Sequence, residues 1–292
     1  MRLATFDHHH QPRLGVIDGN DILVPPAEQG WATSMLAIIE AGPDAWAKLN
    51  AALPVLRSSA ARVPLAQAHL LAPIPQPRKN IMCLGLNYRD HAEESARAKG
   101  LAPEIPQHPM VFTKNVTAVN APDGAIPAQP DVTRELDWEV ELGVVIGTGG
   151  RGIARERALD HVFGYTVIND VSARDLQFRH KQFFLGKSLD GTCPMGPVLV
   201  TRDEIPDPQN LHLRCRVNGE LKQDSSTRHM IFDVATIVSI LSRGMHLEPG
   251  DIIATGTPAG VGFARTPPEY LKSGDTVECE IEHIGRLHNR VV

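Results

Sequence analysis

The chain has 292 residues, which is enough for one large or two ordinary domains with a substantial buried core. Its 34 acidic and 29 basic residues give a net charge of -5, which argues against a nucleic-acid partner because phosphate binding leaves a basic surplus. With 24 glycines and 23 prolines, the composition favours a mainly β, turn-rich fold with some α+β elements.

The first residues, Met1 to Asp7, lack the apolar core of a signal peptide, and no later stretch is apolar over the length of a membrane span. We therefore expect a cytoplasmic protein with no membrane partner. The four cysteines lie far apart and form no C-x-x-C pair, which is typical of reduced, buried thiols.

Residues 1–72 are predicted to form a small α+β domain. A hairpin signal at Asp18-Gly19-Asn20-Asp21 separates two apolar runs, and Thr33 or Ser34 can cap a helix that runs through Glu40. Pro43 can open a second helix through Leu53. The proline-rich residues 72–77 are interpreted as a stiff linker, so the second domain is placed at 78–292. A native metal site at His8-His9-His10 is disfavoured.

The second domain opens with a short apolar strand at residues 80–84, followed by a charged segment at 89–97 that is predicted to be helical. His91 and Glu94 lie three residues apart, so on a helix they share a face and can hydrogen-bond. A histidine oriented by a carboxylate can act as a general base for water. An exposed ion pair on a polar helix is the alternative interpretation.

An acidic stretch at residues 136–146 alternates with period two and is predicted to be one interior strand. Asp137, Glu139 and Glu141 would then share a face. Inward-facing carboxylates are costly unless a cation neutralises them, so a hard divalent metal is one hypothesis. A solvated face of an antiparallel strand is the other.

A second strand, at residues 163–168, delivers Asp170 at its end, where a functional side chain has rigid support. Asp170 is thus a candidate third carboxylate, although aspartate is also common in turns that enter helices. Ser172 is predicted to cap the next helix, with Asp175 at the capping-box position. Lys187 is either a buried cation beside the acids or a surface lysine.

Toward the carboxyl end, Asn218-Gly219 predicts a type I′ hairpin and residues 232–242 predict a helix. A strand at 251–255 leads into a glycine-dense turn at 256–262, where the backbone can approach a ligand closely.

These motifs occur together in one order: Asn87-Tyr88-x-x-His91-x-x-Glu94, Asp137-Trp138-Glu139-Val140-Glu141-Leu142, Asn169-Asp170-Val171-Ser172-Ala173-Arg174-Asp175, Leu185-Gly186-Lys187 and Thr255-Gly256-Thr257-Pro258-x-Gly260-Val261-Gly262. With them, residues 78–292 resemble the fumarylacetoacetate hydrolase superfamily, most closely its fumarylacetoacetate hydrolase domain-containing branch. The resemblance implies a β-sandwich roll catalytic domain behind a small N-terminal domain, usually in a homodimer.

The resemblance also implies roles for individual residues. The metal, Mg²⁺ or Mn²⁺, would be held by Glu139, Glu141 and Asp170, an all-oxygen set that suits hard cations. His91 and Glu94 match the family's catalytic dyad, and Lys187 matches its active-site lysine. The implied substrate-binding set is Asn87, Arg174, Gln177, Gly256 and Thr257. Asp137 has no ligand role in this match.

The function expected from the resemblance is metal-dependent hydrolysis of a C–C bond in a 1,3-dicarbonyl or 2,4-dioxo acid, with His91-Glu94 activating water and the metal stabilising the enolate. Oxaloacetate-type decarboxylation and 2-oxo-enoate hydration or isomerisation are alternatives at the same metal, as is a non-catalytic keto-acid-binding protein. Leu86 stands where acylpyruvate-cleaving relatives often have a basic residue, which favours a longer or less charged keto compound.

Overall fold

The computed structural model describes all residues, 1–292. Eighteen strands make up most of its regular structure. In chain order they are β1 (Arg2–His8), β2 (Gln11–Asp18), β3 (Asp21–Val24), β4 (Ala61–Pro64), β5 (Leu70–Leu71), β6 (Ile81–Gly85), β7 (Met110–Lys114), β8 (Val119–Asn120), β9 (Leu136–Asp137), β10 (Val140–Ile146), β11 (Val162–Asn169), β12 (Ser172–Ala173), β13 (Cys193–Thr201), β14 (His212–Val217), β15 (Glu220–Ser226), β16 (Ile252–Ala254), β17 (Thr276–Ile281) and β18 (Gly285–Arg290).

Six α-helices lie between these strands: α1 (Met35–Glu40), α2 (Gly42–Ser59), α3 (Arg89–Ala98), α4 (Arg174–Arg179), α5 (Phe184–Lys187) and α6 (Val234–Ser242). Short 3₁₀ turns complete the regular structure, including Arg155–His161 and Gly262–Ala264. None of the helices has the length and apolar character that a membrane crossing requires. The four cysteines are buried and unpaired, as predicted.

The large sheet has twelve strands, ten of them in the order β4-β3-β2-β1-β13-β11-β10-β16-β6-β7. Strand β10 lies between β11 and β16, and all seven of its residues are buried. It is therefore an interior strand, as its apolar continuation indicates. A four-stranded sheet, in the order β15-β14-β17-β18, packs against this region. Inward side chains of both sheets, among them Leu142 and Cys215, share one core. The predicted sheet-dominant α+β class is confirmed.

The amino-terminal segment joins the large sheet directly. Strand β1 pairs antiparallel with β13, with Arg2 opposite Val200 and Leu3 opposite Leu199. The predicted linker at 72–77 is irregular but packed, since Ala72 and Ile74 are buried in the same core as β1. The division at 72 and 78 stays a prediction, and hydrogen bonds of one sheet cross it.

Local signals are largely reproduced. The Ser34 hydroxyl accepts a hydrogen bond from Ala37 N and caps α1. Asn218 and Gly219 adopt φ of 51° and 81°, as a type I′ turn requires. Helix α2, however, continues through Pro54 to Ser59 and does not end at Leu53. The helix predicted for 232–242 begins at Val234, because the carboxylate of Asp233 caps it through Thr236 N.

Candidate metal centre and active site

Three carboxylates meet where β10 and β11 run side by side. Glu139 precedes β10, Glu141 lies within it, and Asp170 follows β11. Val140 pairs with Asn169, and Asp170 N donates to Glu139 O at 2.9 Å, so the strand register places the three acids together. One oxygen from each lies within 4.8 Å of the others, and all three side chains are buried.

The predicted continuous acidic strand is wrong at its start. The chain leaves the ladder at Trp138 and Glu139, and Asp137 belongs to β9, which pairs with β12 in a separate two-stranded sheet. Asp137 accepts hydrogen bonds from Trp138 N, Gly262 N and Phe263 N and from Arg174 Nε. These four donors occupy the Asp137 carboxylate, which is not part of the cluster formed by Glu139, Glu141 and Asp170.

Three buried cations surround the carboxylates. Lys187 Nζ lies 2.7 Å from Glu139 Oε2 and 2.8 Å from Asp170 Oδ2. Arg174 Nη2 lies 2.7 Å from Glu139 Oε1. Sequence reasoning missed Lys114, whose Nζ lies 2.7 Å from Asp170 Oδ1 and donates to Val171 O. The only available signal was a single charge ending an apolar strand.

The cations are unevenly distributed, and the carboxylates titrate accordingly. Burial would raise the pKa of Glu139, but the Lys187 ammonium and the Arg174 guanidinium lower it to about 2. Burial, together with the charges of Asp170 and Glu139, raises the pKa of Glu141 well above its ordinary value. Glu141 makes no ion pair and accepts only from Gly256 N, at 2.7 Å. Glu141 is thus the one acid of the three without a cationic partner.

The residues fit a divalent cation of the Mg²⁺ or Mn²⁺ type. Their donors are carboxylate oxygens, which hard cations prefer, and they come from rigid strand ends. A divalent cation bound between these three carboxylates would supply the positive counter-charge that Glu141 lacks. The geometry therefore supports a divalent-metal site at Glu139, Glu141 and Asp170.

The His91–Glu94 pair lies on α3 beside the carboxylates. His91 Nδ1 is 2.9 Å from Glu94 Oε1, and both oxygens of Glu94 accept from Gly260 N at 3.0 Å. The glycine-dense turn therefore holds the carboxylate that orients the histidine. Since Nδ1 faces Glu94, the other ring nitrogen, Nε2, is free to exchange a proton.

A cavity of about 90 Å³ opens beside Glu139, His91 and Lys187. Its wall includes His91, Lys187, Arg174, Gln177 and Thr257 among the predicted site residues. The Arg174 guanidinium also donates to Gln177 Oε1 at 2.9 Å.

Two predicted substrate contacts, Asn87 and Gly256, do not line the cavity. The Asn87 amide donates to Thr255 O and Phe232 O and accepts from Phe232 N, so it links the end of β16 to the segment before α6. Gly256 presents its N–H to Glu141. The predicted helix cap at Ser172 is wrong, because its hydroxyl donates back to Asp170 O and its backbone belongs to β12.

The fold and the site together define an enzyme class built to hold a divalent metal on buried carboxylates next to a histidine–glutamate pair. The family model "Fumarylacetoacetate (FAA) hydrolase C-terminal" matches residues 80–292. The chain belongs to the fumarylacetoacetate hydrolase family.

Two sequence relatives share a named activity. Oxaloacetate tautomerase YisK of Bacillus subtilis is 54% identical over 227 residues, 78% of this chain and 74% of the relative. The mitochondrial oxaloacetate tautomerase Fahd2a of Rattus norvegicus is 41% identical over 100% of this chain and 92% of its own length.

Two solved structures share the fold over the whole chain. The fumarylacetoacetate hydrolase of Exiguobacterium antarcticum superposes with a TM-score of 0.86 at 42% identity, covering 100% of this chain and 99% of that one. The maleylpyruvate hydrolase of Sphingobium sp. SYK-6, in complex with manganese(II) ion and pyruvate, has a TM-score of 0.79 at 33% identity, with the same coverage.

These relatives correct the expected reaction. Hydrolytic C–C cleavage was the leading expectation, and it is wrong, because the relatives at 54% and 41% identity are oxaloacetate tautomerases. They favour the alternative, an oxaloacetate-type reaction at the same carboxylate site. The His–Glu pair and the acids alone do not separate the two reactions, since both pass through an enolate.

Proposed function

We propose that this protein catalyses the keto–enol tautomerisation of oxaloacetate. The observation that carries the proposal is the shared activity of relatives that match this chain over 78% and 100% of its length. The cavity wall supports a small, polar, negatively charged substrate, because His91, Arg174 and Lys187 line it. Oxaloacetate is short and carries two carboxylates, so this proposal departs from the longer or less charged compound that Leu86 favours.

The reaction moves one proton between C3 and the oxygen on C2, with no atom gained or lost. A divalent metal, when bound at Glu139, Glu141 and Asp170, supplies Lewis-acid stabilisation of the negative charge on the C2 oxygen. Magnesium or manganese is proposed because the donors are all carboxylate oxygens.

His91 is proposed to carry this proton through Nε2, which takes it from one of the two positions and returns it to the other. Glu94 accepts from Nδ1, which fixes the tautomer and stabilises the imidazolium formed when the proton is taken up. Burial would lower the pKa of Lys187, but Asp170 and Glu139 raise it to about 12. Lys187 therefore stays an ammonium, whose positive charge stabilises the negative charge of the enolate.

The proposal is tested by following the ultraviolet absorbance of enol-oxaloacetate with Mg²⁺ or Mn²⁺ present. We expect wild-type enzyme to accelerate loss of the enol signal without release of pyruvate and CO₂. Glu139→Gln should abolish metal-dependent turnover, and His91→Ala should remove most of it. Pyruvate release in step with the loss of enol would identify a decarboxylase, and no acceleration with either metal would overturn the proposal.

We also propose that two copies of the chain associate. Strand β7 ends the large sheet, and its Met110 and Val111 expose 39% and 43% of their surface. Leu185 on α5 is 52% exposed. Apolar side chains on an open sheet edge favour pairing. Light scattering after size exclusion should give twice the 31.8 kDa chain mass, and a monomer at micromolar concentration would contradict it.

A further inference from the structure

The helix that carries His91 turns a second pair of polar side chains toward the same cavity. His91, Ser95 and Lys99 lie at i, i+4 and i+8 along α3 and its carboxyl-terminal cap, and all three line the cavity. Side chains at this spacing share one helix face. The face of α3 that carries His91 therefore also presents Ser95 and Lys99 to the cavity.

Lys99 is the one cation of the cavity wall that has no acidic partner. His91 pairs with Glu94, Lys187 with Glu139 and Asp170, and Arg174 with Asp137 and Glu139. No carboxylate lies within 4.0 Å of Lys99. Its Nζ instead lies over the ring of Phe178, 4.7 Å from the centroid, and 5.9 Å from that of Phe263.

Two further observations fit the binding of an anion beside Lys99. The Ser95 hydroxyl is buried, lines the cavity and has no hydrogen-bond partner. A buried hydroxyl without a partner is costly. Arg174 Cζ lies 4.6 Å from the centroid of the Phe263 ring, so two cations lie near one aromatic ring. Burial and the Arg174 charge both lower the pKa of Lys99.

A lysine at a helix carboxyl terminus is common, because it compensates the helix dipole. That role requires no contact with the cavity. Lys99 is an exposed residue, but its ammonium lies over Phe178 at the cavity wall, which Ser95 with its unpartnered hydroxyl also lines.

We propose that Lys99 and Ser95 bind the second carboxylate of a dicarboxylate substrate, the one remote from the metal, and so set the preference for four-carbon dicarboxylates over 2-oxo acids with a neutral end. This inference rests on the proposed function. The carboxylate accepts from the Lys99 ammonium and from the Ser95 hydroxyl, while C1 and C2 lie toward the acids. Lys99 takes the place of the basic residue that is absent at Leu86.

The test separates binding from chemistry by using two ligands that cannot enolise. Malate has the four-carbon chain with both carboxylates, and 2-hydroxybutyrate has the same chain with a methyl group at C4. Calorimetry on the Mn²⁺-loaded protein should show that Lys99→Met weakens malate about tenfold, as expected for loss of one charge-assisted contact, and leaves 2-hydroxybutyrate unchanged. Lys99→Arg should restore malate binding at least in part.

The kinetic readout is KM against kcat for oxaloacetate. Lys99→Met should raise KM about tenfold with little change in kcat, and Ser95→Ala should act in the same direction but less. Inhibition by oxalate, which has only the two-carbon chelating half, should not change. Lys181→Met is the matched control, since Lys181 is exposed, makes no ion pair and does not line the cavity.

The outcomes distinguish this inference from the proposed function. Wild-type enzyme without tautomerase activity would overturn the proposed function, whereas malate binding would still report on the carboxylate site. Wild-type activity with equal malate affinity and equal KM in Lys99→Met would overturn the inference alone. Equal weakening of malate and 2-hydroxybutyrate would also overturn it, because that result would show a general structural role for Lys99.

Discussion

Asp137 Oδ2 accepts a hydrogen bond from Arg174 Nε at 2.9 Å, and both side chains are buried. The same carboxylate accepts from Gly262 N and Phe263 N. Arg174 in turn contacts Glu139 of the proposed metal site. Asp137 thus connects the glycine-dense turn to the carboxylates through one guanidinium, and it does so without facing the proposed metal.

Asp137→Asn should destabilise the protein by about 3 kcal/mol, because it leaves the buried Arg174 with one fewer counter-charge and sets an amide NH₂ against donor groups. Urea denaturation of both proteins measures this difference. Asp123→Asn, at an exposed aspartate, is the control and should stay within about 0.5 kcal/mol of wild type. Equal stability of the two variants would show that Asp137 is not required for the fold.

Gly256→Ala and Gly274→Ala form a matched pair, since both glycines have φ of +97°. A Cβ on Gly274 meets nothing within 4 Å, so only backbone strain of about 1–2 kcal/mol applies. A Cβ on Gly256 would lie 2.7 Å from Asn87 Cβ and would displace the N–H that Glu141 accepts. We expect Gly256→Ala alone to weaken Mn²⁺ binding, measured by calorimetry. Equal metal affinity in both variants would contradict this.

Glu141→Gln should separate metal binding from folding. Because burial and the charges of Asp170 and Glu139 raise the pKa of Glu141 well above its ordinary value, the folded metal-free protein disfavours the charged carboxylate, and a neutral amide of the same shape removes that cost. The metal-free variant should therefore melt at or above the wild-type temperature near pH 7. Mn²⁺ should raise the melting temperature of wild type and leave that of the variant unchanged. A Mn²⁺-dependent rise in the variant would argue against Glu141 as a ligand.

Metal affinity should increase with pH above the ordinary glutamate pKa of 4.5. In that window the metal-free protein retains a proton on Glu141, whose pKa is raised, and metal binding must release it. The same shift makes the metal-free protein less stable as pH rises from 4.5 through the raised pKa, because the folded state there binds more protons than the unfolded state. Calorimetry in two buffers of different ionisation enthalpy counts the released protons, and no release just above pH 4.5 would contradict the assignment.

The sequence indicates two acids of the site because they lie within or at the end of predicted apolar strands. Glu141 on an apolar strand and Asp170 at a strand end are both visible from local pattern, and the register Val140–Asn169 then brings them together. Lys114 was not predictable in the same way. A lysine at the end of an apolar run is also what an exposed sheet edge shows, and its contact with Asp170 spans 56 positions.

The role of Asp137 also depends on distant residues. Its backbone partners lie 125 and 126 positions away, at Gly262 and Phe263, and no local periodicity encodes that approach. Period two instead suggested a single face with Glu139, which the break at Trp138 removes. The sequence motifs could not identify the reaction, because the same acids and the same His–Glu pair serve hydrolysis and tautomerisation. The relatives' named activity was needed to choose between them.

The pairing of β1 with β13 restricts how a chimera of this chain and a relative can be made. Because Arg2 and Leu3 of β1 lie opposite Val200 and Leu199 of β13, removing the first 79 residues would expose the edge of β13 inside the large sheet. Residues 80–292, which the family model matches, would then be prone to aggregate. A chimera therefore needs a leading segment whose first strand can pair with its β13.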